Sequence, residues 1–236
     1  FHFFANEKYK KRLVQLGENP NRIFTVGGLG VDNIKSIKFL SRQKLEKKLK
    51  IKFKKRNLII NFHPETLNKF SAKKQFNEIL KAIKTLKDTI LIFTKPNSDL
   101  DSSIIFNMIK NYVKKNKNAY VFTSLGSLVF YSCLRYVDGM IGNSSSGLLE
   151  MPTFKKGTIN VGSRQSGRLT SKSVINTKSN KVNILKSINI LYSANFKKKI
   201  KMTKNPYGNG GASQKIISIL KKIKTNKIMM KKFYDI

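Results

Sequence analysis

A single cysteine, Cys133, excludes an internal disulfide and suits a reducing compartment. It lies in "FYSCLRYV", a helical pattern that predicts a buried, inert thiol. No apolar run approaches the ~20 residues that a membrane helix needs, so no membrane association is expected. The first residues, "FHFFANEKYKK", lack the apolar stretch and cleavage site of a signal peptide, and a cytoplasmic location is expected. They also lack an initiator methionine and begin as if inside a strand, which predicts a fragment of a longer chain. Acids are scarce as well. Twelve Asp and Glu stand against 48 Lys and Arg, a formal charge of +36 over 236 residues.

That charge invites a nucleic-acid function, but its make-up argues against a specific one. Only 7 of the basic residues are arginine. A selected phosphate-reading surface would favour arginine, whose planar fork binds phosphate through two donors. The lysine, asparagine, isoleucine and phenylalanine bias instead fits drift in an AT-rich genome. The densest basic run, "RQKLEKKLKIKFKKR" (42–56), interleaves Leu45, Leu49, Ile51 and Phe53, as a solvated helix face leading into a strand would. Salt-sensitive, non-specific adhesion to polyanions is expected, and no specific nucleic-acid partner.

From residue 57 onward, short apolar runs alternate with helical patterns. Strands are predicted at 57–62, 89–94, 119–123, 139–142, 157–162 and 173–177. Helices are predicted at 75–86, from about Asp99 to Lys115, at 126–136, through Glu150, at 181–193 and at 212–224. In the second of these, Ile104, Ile105, Met108, Ile109 and Tyr112 are expected to face inward. Strands buried on both faces and separated by helices give an α/β fold, a Rossmann-like doubly wound parallel sheet. Upstream, "KYKKRLVQLG" and "RIFTVG" form one more helix–strand pair that fits this sheet poorly, across a charged connector at about 33–56. "GGLG" (27–30) is read as loop glycine, lacking the third glycine and the following helix of a dinucleotide fingerprint. The expected division is 1–32 as the remnant of a preceding domain, 33–205 as the main α/β domain and 206–236 as a crossing helix with a basic tail.

Ligands bind such sheets beyond the carboxyl ends of the strands. The rim collects "HPET" with His63, "KPNSD" with Lys95 and Asn97, "TSLG", "NSSSGLLE", and "SRQSGR" with Arg164 and Arg168. Together these describe an anion-binding cleft. In "IGNSSSGLLEMP" (141–152), Gly147 is expected to permit a tight bend, and the amides after Asn143 to open a helix whose N-terminus favours phosphate. Ser146 and Glu150, four apart, share a helical face. Glu150 is best aimed at neutral hydroxyls such as a ribose diol. The bland alternative, that Ser144 or Ser145 caps the helix and Glu150 complements its dipole, stays open. His63 is either a satisfied loop residue or a group facing phosphate, donating one hydrogen bond when neutral and steadying a departing diphosphate when protonated.

These blocks, with "HFFANEKYKKRLVQLGE", "VDGMIGNSSSGLLEMPTFKKGTINVGSRQSGR" and "NPYGNGGAS", resemble the UDP-N-acetylglucosamine 2-epimerase family, in particular its hydrolysing branch. The resemblance implies two Rossmann-like domains in the GT-B arrangement, of which this chain would be the C-terminal portion. It also implies a UDP-N-acetyl amino sugar substrate in the cleft between them, no cofactor or metal, and a possible homodimer. It makes His63 a diphosphate contact and the catalytic candidate of this chain. Ser144 and Ser145 become phosphate-binding serines, Glu150 a ribose-gripping glutamate, and Arg164 and Asn97 nucleotide contacts. The implied reaction eliminates UDP and hydrates the resulting glycal, giving an N-acetylmannosamine-type sugar for sialic-acid-like pathways. Its C2 proton-transfer carboxylates would lie upstream in the missing first domain. Two other readings remain: a UDP-sugar-binding module without activity, and a GT-B glycosyltransferase.

Overall fold

A computed structural model describes residues 1–65, 72–98, 101–223 and 232–235, in two compact units. Thr66 of "HPET", the helix start expected at Asp99 and the helix end expected at 224 lie outside the described residues.

The smaller unit comprises 1–37 and 204–236. Strand β1 (His2–Phe4) pairs in parallel with β2 (Ile23–Thr25) in a two-stranded sheet of their own, joined by helix α1 (Glu7–Gln15). Asn6 caps α1, its side chain accepting from the Lys8 amide. Helix α2 (Leu29–Ser36) follows β2 directly, so "GGLG" does lead into a helix, contrary to the loop expected there. The helix escapes a periodicity search because only Val31 and Ile34 are buried along it. A C-terminal helix, Ala212–Leu220, belongs to the same unit. Asp32 of α2 accepts from the Ser213 amide and hydroxyl, both at 2.7 Å, and so caps that helix from 181 residues away.

The larger unit, 38–203, holds a six-stranded, wholly parallel sheet. Helix α3 (Arg42–Leu49) precedes strand β3 (Arg56–Asn61). Then come α4 (Ala72–Ile83), β4 (Thr89–Thr94), α5 (Ser102–Lys115), β5 (Ala119–Phe122), α6 (Gly126–Tyr136) and β6 (Gly139–Gly142). A single helical turn, α7 (Ser146–Leu149), leads through a 3-10 turn (Met151–Phe154) to β7 (Gly157–Val161) and β8 (Val174–Thr177), and α8 (Lys181–Tyr192) and α9 (Ala194–Lys201) complete the unit. The spatial order is β5-β4-β3-β6-β7-β8. The chain winds outward from β3 to β5, returns to lay β6 beside β3, and winds the other way to β8. That is the Rossmann-like doubly wound order, and its switch point falls between β3 and β6.

Alternation along β3 divides the core. Leu58 and Ile60 pack with Phe76, Ile79, Ile105 and Ile184 under α4, α5 and α8. Ile59 packs with Leu45, Val129, Cys133 and Met140 under α3 and α6. Cys133 is fully buried, and burial pushes its thiol up to about 12, which makes it inert at neutral pH. On α5, Ile105 and Ile109 are buried, but Ile104 is 41% exposed, contrary to expectation. One helix face admits only so many neighbours, and Ile105 and Ile109, four apart, already fill it. No helix among the described residues is long and apolar enough to cross a membrane.

Candidate functional site

The carboxyl ends of β3 and β6 lie side by side, with Asn61 paired to Gly142. Gly142 has φ +144°, and a Cβ there would fall 1.9 Å from the Asn61 carbonyl oxygen, so only glycine lets the chain leave β6 at this point. Gly147, the expected site of the bend, does something else. A Cβ on it would meet the Thr158 methyl at 2.4 Å, while the Thr158 hydroxyl donates to the Gly147 carbonyl at 2.8 Å. Its smallness seats α7 against β7.

Asn143, with no exposed surface, joins the two strand ends. Its Oδ1 accepts from the His63 amide (2.7 Å) and its Nδ2 donates to the His63 carbonyl (2.8 Å). The Asn143 carbonyl in turn accepts from Arg164 Nη1 (3.2 Å) and Gln165 Nε2 (2.7 Å). His63 is 5% exposed, and its Nδ1 accepts from the Asn97 amide at 3.2 Å. That bond makes Nδ1 the acceptor, which puts the proton of the neutral ring on Nε2.

These residues open onto a cavity of about 410 Å³ lined by His63, Asn97, Ser144, Ser145 and Arg164, five of the six residues expected to bind nucleotide. The Ser145 side chain makes no capping hydrogen bond to α7, and the Ser144 hydroxyl sits a long 3.4 Å from the Ser146 amide. A helix of four residues carries little macrodipole. The cavity is thus lined by hydroxyls and Arg164 beside a helical turn too short to act as the phosphate-binding helix end expected of it.

Glu150 does not line the cavity. Ser146, which hydrogen bonds to its carboxylate, and Tyr131, whose phenol is held up by burial and by the Glu150 charge, both do. Burial raises the Glu150 carboxyl above its ordinary value against the opposing bond from Ser146. Its Oε2 is buried with no hydrogen-bond partner among the described residues. Arg168 lies apart from Arg164, on a larger cavity of about 1160 Å³ beside α4 and α8. None of the six expected residues lines that cavity, so the chemistry collects in the smaller one.

Lys95, Ser124, Leu125, Gly126 and Ser146 also line the smaller cavity, from the loops expected on the rim, whereas Phe130 and Tyr131 were not foreseen. Leu125, Phe130 and Tyr131 form the apolar wall beside the start of α6. The helical pattern of "FYSCLRYV" gave no face to the aromatic pair, and neighbours on a helix point about 100° apart, so one core-facing stripe could not hold both. No carboxylate lines the cavity among the described residues, and these hold no group of three His, Cys, Asp or Glu able to bind a metal.

The family model for UDP-N-acetylglucosamine 2-epimerase matches residues 1–221. The chain belongs to this family. A GDP/UDP-N,N'-diacetylbacillosamine 2-epimerase (hydrolyzing) of Campylobacter jejuni is 41% identical over the whole chain, and the polysialic acid biosynthesis protein P7 of Escherichia coli is 39% identical. The chain spans 61% and 60% of their respective lengths. Among solved structures, the UDP-GlcNAc 2-epimerase of Neisseria meningitidis bound to UDP-GlcNAc superposes with a TM-score of 0.71 at 18% identity, over 94% of this chain and 61% of that one. At that identity the likeness establishes the fold. In this member of the family, the larger unit carries every residue of the cavity.

Proposed function

We propose that the cavity between β3 and β6 grips the diphosphate and ribose of a UDP-N-acetyl amino sugar, and that the chain serves a hydrolysing 2-epimerase. The observation that carries this is the convergence of His63 Nε2–H, the Ser144 and Ser145 hydroxyls and Arg164 on one cavity at the switch point. All are donors, and no carboxylate lines the cavity among the described residues. The uncompensated Glu150 Oε2 beneath Ser146 suits a ribose hydroxyl donor. The hydrolysing relatives of Campylobacter jejuni and Legionella pneumophila, 41% and 33% identical, support the reaction class.

In the proposed reaction a base removes the C2 proton and the C1–oxygen bond to UDP breaks. Water then adds across the resulting double bond with inversion at C2, giving an N-acetylmannosamine-type sugar of the kind used in sialic-acid biosynthesis. His63 donates to the departing diphosphate, and Arg164 and the serines balance its growing charge. The C2 base is not among the cavity residues. A second reading, nucleotide-sugar binding without turnover by these residues alone, draws on that same lack of a carboxylate.

Calorimetry with UDP, uridine and GDP tests the binding, and UDP release from UDP-N-acetylglucosamine and its diacetylated counterpart tests the chemistry. The 236 residues are expected to bind UDP and to release none. Absence of UDP binding would sink the proposal. Robust release, abolished by His63→Ala, would put the C2 base within these residues.

A further inference from the structure

A carboxylate is a poor neighbour for a diphosphate, yet Glu65 stands two residues from His63. Its Oε1 accepts from the Arg164 amide and its Oε2 from the Ser163 hydroxyl, both at 3.1 Å. The loop is shaped around it. Gly162 has φ +82°, and a Cβ there would come within 2.7 Å of Glu65 Oε1. Arg164 is thus held twice, its main chain by Glu65 and its guanidinium by the Asn143 carbonyl. Asn143 in turn holds His63, next but one to Glu65, which closes a ring of contacts across the ends of β3, β6 and β7. The Glu65 carboxylate meets Arg164 at its main chain and not at its guanidinium, which has no ion pair among the described residues.

We infer that Glu65 is a positioning residue that sets Arg164 for the anion, and that its own charge is incidental. An exposed arginine has much rotamer freedom to lose on binding, and fixing its backbone and one nitrogen beforehand removes part of that cost. The inference rests on the UDP reading and makes a prediction of opposite sign to simple electrostatics. Charge repulsion alone would have any neutral residue at position 65 tighten UDP binding.

The experiment is calorimetry on the full chain with UDP, uridine and inorganic pyrophosphate. Glu65→Ala is expected to weaken UDP about tenfold or more and to leave uridine unchanged, because Arg164 faces the diphosphate. Glu65→Gln is expected to stay within about threefold of wild type. Its carbonyl can take the Arg164 amide, while its NH2 donates to a Ser163 hydroxyl turned round to accept. Glu65→Ala combined with Arg164→Ala should bind UDP no worse than Arg164→Ala alone, since one residue acts through the other. Should Glu65→Ala fail to fold, Glu65→Asp, a methylene short of both donors, carries the same expectation. Unchanged or tighter UDP binding by the Ala variant, a parallel loss of uridine, or additive losses in the double variant would each overturn the inference. If wild type binds pyrophosphate but not UDP, the nucleotide reading falls, and the pyrophosphate series judges Glu65. If wild type binds neither, both fall.

Discussion

Removing Glu150 or Arg164 should weaken UDP in each case, but only the loss of Glu150 should stabilise the ligand-free chain. The Glu150 carboxyl lies above its ordinary value of 4.5 because burial penalises its charge, only partly offset by Ser146. A group that binds its proton more tightly folded than unfolded makes stability fall as pH rises from about 4.5 through the raised value. Glu150→Gln removes that penalty. It should raise the thermal midpoint of the ligand-free chain at pH 7, flatten the decline in stability above pH 4.5, and yet weaken UDP. The loss should be smaller for thymidine diphosphate, which lacks the 2′-hydroxyl. Equal losses for both ligands would reassign the residue to structure. Arg164→Ala should cost UDP about 2–5 kcal/mol by calorimetry, as truncating one partner of a hydrogen-bonded charge pair does. At this scale the sequence showed which residue types gather on the rim. It concealed that Asn97 acts on His63 through its amide, because a backbone contact leaves no trace in side-chain chemistry.

Among the elements, β4 (Thr89–Thr94), α6 (Gly126–Tyr136) and β6 (Gly139–Gly142) run just where the pattern put them, since turn residues bound their apolar runs sharply. Helix α9 was missed. Its eight residues include four lysines, and Phe196 and Ile200 are its only buried positions, too few to show a period. The role of Gly147 was misjudged because close approach to Thr158 is a tertiary fact. It yields a paired test. Gly147→Ala should destabilise the chain by about 1–3 kcal/mol through overpacking. Adding Thr158→Ser, which deletes the obstructing methyl and keeps the hydroxyl bonded to the Gly147 carbonyl, should restore most of the loss in denaturant melts. Failure of that rescue would mean that the glycine serves the backbone after all.

Over the whole molecule, +36 charges are met by only three ion pairs among the described residues, one of which needs His2 protonated. Self-repulsion on this scale weakens a compact state, and salt screens it, the Debye length falling from about 10 Å at 0.1 M to about 3 Å at 1 M. The thermal midpoint should therefore rise with sodium chloride, and a flat profile would count against repulsion as a significant term. Any binding to RNA should ignore sequence and fade steeply over the same range, as counterion release requires. Fluorescence anisotropy on two unrelated oligonucleotides checks both.

The bond from Asp32 to Ser213 also sets an order of events on the ribosome. Its partners are 181 residues apart, so at about 5–20 residues per second the amino-terminal strands wait roughly ten to forty seconds for the helix that Asp32 caps. The six-stranded sheet of 38–203 lies wholly between them and is complete in the nascent chain first. A nascent chain whose residues through Thr203 have cleared the ribosome should thus display a protease-resistant core while residues 1–37 stay cleavable. Emergence past Leu220 should protect residues 1–37.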